Sequence, residues 1–218
     1  MGIVWRARET AGGPLYEYEY AVVGAGAASL VKTRTQVDTT PPTITLGALS
    51  GPVSGTFTSA ITLSEASTDF AVGDLTLTNA TATLTGSGTA YTAVLTPQAA
   101  GPIALSVDAA KFTDAAGNAN TASNVVTTSF DSTAPTVVVT SSTDNYSGTT
   151  SFNISITFSE PVTGFVVDDL LVKNGMALAL TGGGASYGAT ITPTGAGEVK
   201  IKVPASVAVD GAGNANLS

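Results

Sequence analysis

The chain has no cysteine and no histidine. The first absence removes disulfides and thiolate chemistry, and the second removes the commonest acid–base group and transition-metal ligand. A lack of cysteine accords with export without establishing it. Charge is scarce, at 11% of residues against roughly 25% in ordinary soluble domains. The charge present leans negative, with 16 Asp and Glu against 8 Lys and Arg and a net charge of −8. A phosphate backbone is repelled over most of such a surface, so no nucleic-acid partner is expected. There is no apolar run of the length a membrane-spanning helix needs, so no membrane insertion is expected. Residues 1–6 carry no signal-like apolar stretch, and the chain reads as an excerpt whose signal or anchor lies elsewhere. Sustained helical periodicity is missing too.

What is present is repetition. DTTPPT at 38–43 returns as DSTAPT at 131–136, an offset of 93 from Asp38 to Asp131, and DAAGNAN at 114–120 returns as DGAGNAN at 210–216, an offset of 96 from Asp114 to Asp210. A period that long with strand-like contents predicts a tandem array of domains, not one catalytic globule. Within each unit the alternation is of period two: Phe57, Ser59, Ile61 and Leu63 match Phe152, Ile154, Ile156 and Phe158, and Ile103, Leu105 and Val107 match Val199, Ile201 and Val203. Turn signals at 86–88, 182–184 and Asn174-Gly175 separate the runs. Seven short strands in about 93 residues have the size and rhythm of an immunoglobulin-like sandwich.

The spacing predicts strand A after each Asp-Thr/Ser-Thr segment, B through Phe57 or Phe152, C from near Phe70 or Phe165, F through Leu105 or Ile201, and G over 124–130. Three segments follow. Residues 1–37 are read as the C-terminal hairpin of a truncated preceding repeat, with strands over 16–23 and 29–37. Residues 38–130 form one Ig-like repeat, and 131–218 form a second that lacks its last strand. A lone hairpin is marginal in water, so the leader is expected either to stay loosely ordered or to lend its strand to a neighbour, a self-association by strand addition. Trp5, Tyr16, Tyr18 and Tyr20 fall outside the complete repeats and are read as residues left uncovered.

The motifs VDTTPPT, LSEAS, FSEPV, FVVDDL, LTGSGTAYTAVLTP and DAAGNAN resemble the bacterial immunoglobulin-like tandem repeats of large extracellular adhesins. The resemblance covers residues 38–218. It implies an all-β chain of tandem immunoglobulin-like β-sandwich domains packed head to tail, display outside the cell or at the bacterial surface, and, as in several members, calcium at the junctions between units.

Four acidic positions recur: Asp38 with Asp131, Glu65 with Glu160, Asp74 with Asp169, and Asp114 with Asp210. In a sandwich of this topology the linker Asp, the Glu expected in the B–C loop and the Asp of the F–G loop converge on one pole. Three carboxylates there repel one another unless a cation joins them or some are protonated. No Lys or Arg recurs beside them. Calcium, which takes six to eight oxygens, is therefore the expected ligand of Asp38, Glu65, Asp114 and Asn118, and of Asp131, Glu160, Asp210 and Asn214; magnesium fits less well. The same residues admit a plainer reading, in which the linker Asp forms an Asx turn, the F–G Asp closes a Gly-Asn turn and the Glu is solvated. At Asp74 and Asp169 the alternation slips, and capping of a turn is the expected role. The matched aromatics fall in phase with core positions and are read as packing, not as a sugar platform.

A structural stalk that spaces a ligand-binding tip from a bacterial surface accounts best for these features, with neighbouring repeats as its partners. The alternative is a carbohydrate- or ligand-binding adhesive module that contacts a host or matrix ligand. An enzyme is not expected, because the carboxylates occur in duplicate at linker poles and not once in a cleft.

Overall fold

The computed structural model describes residues 3–8, 14–23, 29–142 and 150–218. Among them every regular element is a strand, apart from two single-turn 3-10 helices. Ile3–Arg8 (β1), Leu15–Val23 (β2) and Ser29–Gln36 (β3) form an antiparallel meander in that order. The expected pair is thus joined by a third strand. Tyr18 on β2 is only 2% exposed, which corrects its reading as an uncovered residue; the side chains of Trp5 and Tyr20 lie outside the described residues.

The first repeat comprises Ile44–Leu46 (β4), Phe57–Ser67 (β5), Leu75–Thr78 (β6), Ala80–Pro97 (β7), Gly101–Val107 (β8) and Val126–Phe130 (β9). They form two sheets, β4-β5-β7 and β6-β8-β9. The second repeat comprises Val137–Ser141 (β10), Phe152–Val162 (β11), Leu171–Lys173 (β12), Gly175–Pro193 (β13) and Lys200–Lys202 (β14), in sheets β10-β11-β13 and β12-β14. β7 is long because it folds back on itself. The Gln98 N–H donates to the Asn79 carbonyl at 3.1 Å and the Thr85 hydroxyl to the Thr92 carbonyl at 3.4 Å. The bend needs glycine: Gly86 has φ +116°, and a Cβ there would collide with the Ala90 carbonyl. Counting both legs, the first repeat has the seven strand segments of the immunoglobulin-like sandwich.

Alternation decides which side chains enter the core. Ile61, Leu63, Tyr91, Ala93 and Leu95 from one sheet face Leu105, Val107 and Val126 from the other. Ile154, Ile156, Phe158, Ala189 and Ile191 do the same work in the second repeat. The register repeats as well, with Ile61 opposite Tyr91 and Ile156 opposite Tyr187. Full burial of each large apolar side chain contributes about 1.5–3 kcal/mol. Among the described residues no third strand pairs with β14, and Ile201 is half-buried where its counterpart Leu105, paired with β9, is fully buried.

The expectation that strand C begins near Phe70 or Phe165 needs correction. Both aromatics lie in the preceding turn, and pairing starts only at Leu75 and Leu171, after the 3-10 turns Val72–Asp74 and Val167–Asp169. There Asp74 accepts from the Ala71 N–H and Asp169 from the Val166 N–H, each at 2.8 Å, in the capping role expected of them. Phe70 and Phe165 pack inward: their rings lie 5.0 Å and 5.1 Å from Tyr91 and Tyr187, edge to face. The Tyr91 and Tyr187 hydroxyls then donate to the Ser67 and Val162 carbonyls. The aromatic packing thereby fixes the ends of β5 and β11.

Candidate metal centre

The acidic pole of each repeat is assembled from three places in the chain. Glu65 and Glu160 lie within the last residues of β5 and β11, not in the following loop as expected. The strand register slips between Thr62 and Ser67 and between Thr157 and Val162, and such an irregularity re-aims side chains that regular pairing would hold over the sheet face. Asp114 and Asp210 close the turn of the D-x-x-G-N motif. Asp114 accepts the Ala116 and Asn118 N–H groups at 2.8 Å each and the Asn118 Nδ2 at 2.8 Å; Asp210 accepts the Ala212 and Asn214 N–H groups at 2.8 Å and the Asn214 Nδ2 at 2.9 Å.

The third member comes from the linker. Asp38 and Asp131 each accept an N–H two residues on, from Thr40 and Thr133, both at 2.9 Å, so the Asx turns of the plainer reading are present. The linkers are not free chain. Thr43 and Ser64 bond to each other through backbone and hydroxyl, as do Thr136 and Ser159, and Pro42 and Pro135 are fully buried. Each linker is therefore part of the repeat that follows it.

These placements bring Asp38, Glu65 and Asp114 together, and Asp131, Glu160 and Asp210, with one carboxylate oxygen of each residue lying within 4.8 Å of the others in its trio. Burial pushes the Glu65 carboxyl up from its ordinary value, with the Asp38 and Asp114 charges adding to the effect. The same causes raise Glu160, through burial and then Asp131 and Asp210. Asp114 and Asp210 go the other way: burial would raise them, but the hydrogen bonds from the Asn118 or Asn214 amide and the turn N–H groups outweigh it and hold both below the usual range. Each trio thus contains a carboxylate fixed by donors and a glutamate left under unrelieved repulsion. The first trio borders an open cleft of about 670 Å³ that Glu17, Thr35 and Gln36 also line.

Asn118 and Asn214 meet the trios through their amide nitrogens. Besides the carboxylate, Nδ2 donates to the carbonyl of the linker Asp, at 3.3 Å for Asp38 and 2.9 Å for Asp131. The second asparagine of the motif, outside the expected ligand set, is the buried one. Asn120 is 3% exposed and its side chain makes four hydrogen bonds: Oδ1 accepts from the Lys111 and Phe112 N–H groups, and Nδ2 donates to the Asp108 and Thr121 carbonyls. Asn216 does the same with Val207, Ala208, Pro204 and Leu217. Its recurrence in both copies of the motif was the signal. Asp69, which has no acidic counterpart at the matching position of the second repeat, straps the first pole by accepting from the Thr113 N–H and hydroxyl.

No curated protein matches the chain. The family described as Bacterial Ig-like domain matches it twice in tandem, over residues 38–130 and 131–218, which together span most of its length. Two sandwiches of matching strand order, each entered through an equivalent linker with an equivalent acidic pole beside it, accord with that match, and the chain belongs to the bacterial Ig-like domain family.

Proposed function

We propose that the chain is a spacer segment of a large bacterial surface adhesin, displayed outside the cell, in which calcium at each carboxylate trio stiffens a junction. Bacterial Ig-like domains fit the role of repeats in surface proteins and are typically non-enzymatic; the stalk and its cation are the further step. The observation that carries the reading is the recurrence of the same trio, at the same pole, beside each linker.

The donor set suits a hard cation. Each trio supplies oxygens only, and two oxygens on one calcium, at roughly 2.4 Å each, stand no more than about 4.8 Å apart, which accommodates the spacing found. Asp38, Glu65 and Asp114 would hold one ion, and Asp131, Glu160 and Asp210 another. Asn118 and Asn214 would contribute by turning their amides to present Oδ1. A divalent ion would offset the burial and the repulsion that raise Glu65 and Glu160, and it would tie the linker aspartate to both the strand and the turn. Proline in each linker limits the remaining freedom.

Calorimetric titration of the chelator-treated chain with calcium chloride tests the reading, with small-angle scattering of both states beside it. Two binding events with a narrower, more extended scattering profile support it. Absence of heat together with superimposable scattering at millimolar calcium would sink it.

A further inference from the structure

We infer that Asn174 and Gly175 form a self-modifying site, at which the Gly175 amide nitrogen displaces ammonia from the Asn174 side chain and leaves isoaspartate in the turn between β12 and β13. The two repeats carry this turn with one chemical difference. Asn79 and Asn174 both adopt left-handed backbone, with φ of 55° and 57°, a region in which Asn is favoured among residues with a side chain. Ala80 follows the first and Gly175 the second. A Cβ on Gly175 would lie 3.2 Å from the Thr192 carbonyl oxygen and 3.2 Å from Val172 Cγ1, so a side chain there would crowd the turn. The second repeat thus sets beside its asparagine the residue whose amide nitrogen is least shielded.

The two amides are also held differently. Asn79 is clamped at both ends: Nδ2 donates to the Ala99 and Pro102 carbonyls at 2.7 Å and 3.3 Å, and Oδ1 accepts the Ala99 N–H at 3.1 Å. Among the described residues Asn174 makes one side-chain hydrogen bond, from Nδ2 to the Gly195 carbonyl at 3.4 Å. Among the described residues no donor pins its Oδ1. Asn174 is only half-buried, so water reaches it.

In the reaction the Gly175 nitrogen gives up its proton to solvent base and attacks the Asn174 side-chain carbonyl carbon. A C–N bond forms, the C–NH2 bond breaks, and ammonia leaves with the proton returned from solvent. The five-membered imide is opened by water at either carbonyl, giving aspartate or isoaspartate. No oxidant or cofactor enters. Isoaspartate runs the backbone through the former side-chain carbon and so adds one methylene to a turn closed by the Thr194 N–H to Asn174 carbonyl bond at 3.2 Å.

The intact, folded chain is incubated at mildly alkaline pH, and isoaspartate is mapped by enzymatic methylation and peptide mass spectrometry. Several-fold more isoaspartate at 174 than at 79, with matching ammonia release and a falling Tm, is expected. Asn174→Gly, which suits the left-handed backbone and removes the amide, should abolish that release and the loss of Tm. Equal levels at 174 and 79, or modification of 174 only after unfolding in urea, overturns the inference.

Discussion

Asn214 Nδ2 donates to the carbonyl oxygen of Asp131 at 2.9 Å, across 83 positions of sequence. The Asp131 N–H is meanwhile held by the Val53 carbonyl of the first repeat at 3.0 Å, and its carboxylate joins Glu160 and Asp210. One residue is thus gripped by the end of one sandwich and the beginning of the next. The peptide on each side of Asp131 is held by a different repeat, which leaves the dihedrals of Asp131 itself as the freedom between those two bonds.

Glu160 is the trio member with the least to lose. Its carboxyl is raised by burial and by the charges of Asp131 and Asp210, so Glu160→Gln removes repulsion while keeping the shape. In chelator the variant should melt higher than the parent by roughly 1–2 °C. In millimolar calcium the order should reverse, because the variant forfeits a ligand. Scanning calorimetry of both proteins in both buffers checks the crossover; a variant that gains as much from calcium as the parent does would remove Glu160 from the ligand set.

Acid should act with opposite sign in the two states. Without cation, Glu65 and Glu160 have raised folded pKa values, so their contribution favours the folded chain at low pH and is lost as pH rises through those values. Asp114 and Asp210 have lowered values and contribute stability above the ordinary Asp range that disappears as pH falls through their folded values. Cation-free chain should therefore melt slightly higher at about pH 5 than at neutral pH, and lower again below about pH 3.5. Calcium-loaded chain should lose stability steadily on acidification, since protons compete for its ligands. Melting curves across that range with and without chelator distinguish the two courses.

The buried asparagines bear on folding, not on binding. Asn120→Ala leaves two N–H groups and two carbonyls without partners in the F–G loop, and Asn216→Ala does the same in the second repeat. Each substitution should cost about 2–4 kcal/mol, since every buried group left unpaired costs about 1–3 kcal/mol and relaxation recovers part. Denaturant unfolding should show the loss in the repeat carrying the change, with calcium affinity at the other trio untouched.

The strands that read clearly in the sequence are those with one wet and one dry face. Phe152, Ile154, Ile156 and Phe158 alternate without a break, and β11 runs through all four. β1, with arginine at both Arg6 and Arg8 in six residues, carries too weak an apolar period to mark a strand. Phe70 and Phe165 misled because a buried aromatic in a turn has the same sequence signature as one in a strand; packing beneath Tyr91 and Tyr187 holds them, not ladder pairing. At the acidic poles, duplication exposed Asp38, Glu65 and Asp114 as a set, whereas the bulge that turns Glu65 toward it has no mark in LSEAS. The difference between Asn118, which faces the carboxylates, and Asn120, which is buried in its own loop, rests on burial alone and is invisible in a motif where both read as turn residues.

The grip on Asp131 is itself open to measurement. Asn214→Ala removes the donor to the Asp131 carbonyl and one donor to Asp210, so the linker keeps its Asx turn but loses its tie to the F–G turn of its own repeat. Because the chain has no cysteine, Val125→Cys and Val166→Cys, at positions 65% and 53% exposed, would carry one spin label on each repeat without background. The distance distribution between the labels should broaden in Asn214→Ala relative to the doubly labelled parent, and the Tm of the second repeat should fall by roughly 4–8 °C, as expected for about 1 kcal/mol in a domain of that size. An unchanged distribution would mean that the Val53 contact alone sets the junction and that the asparagine serves only to hold Asp210.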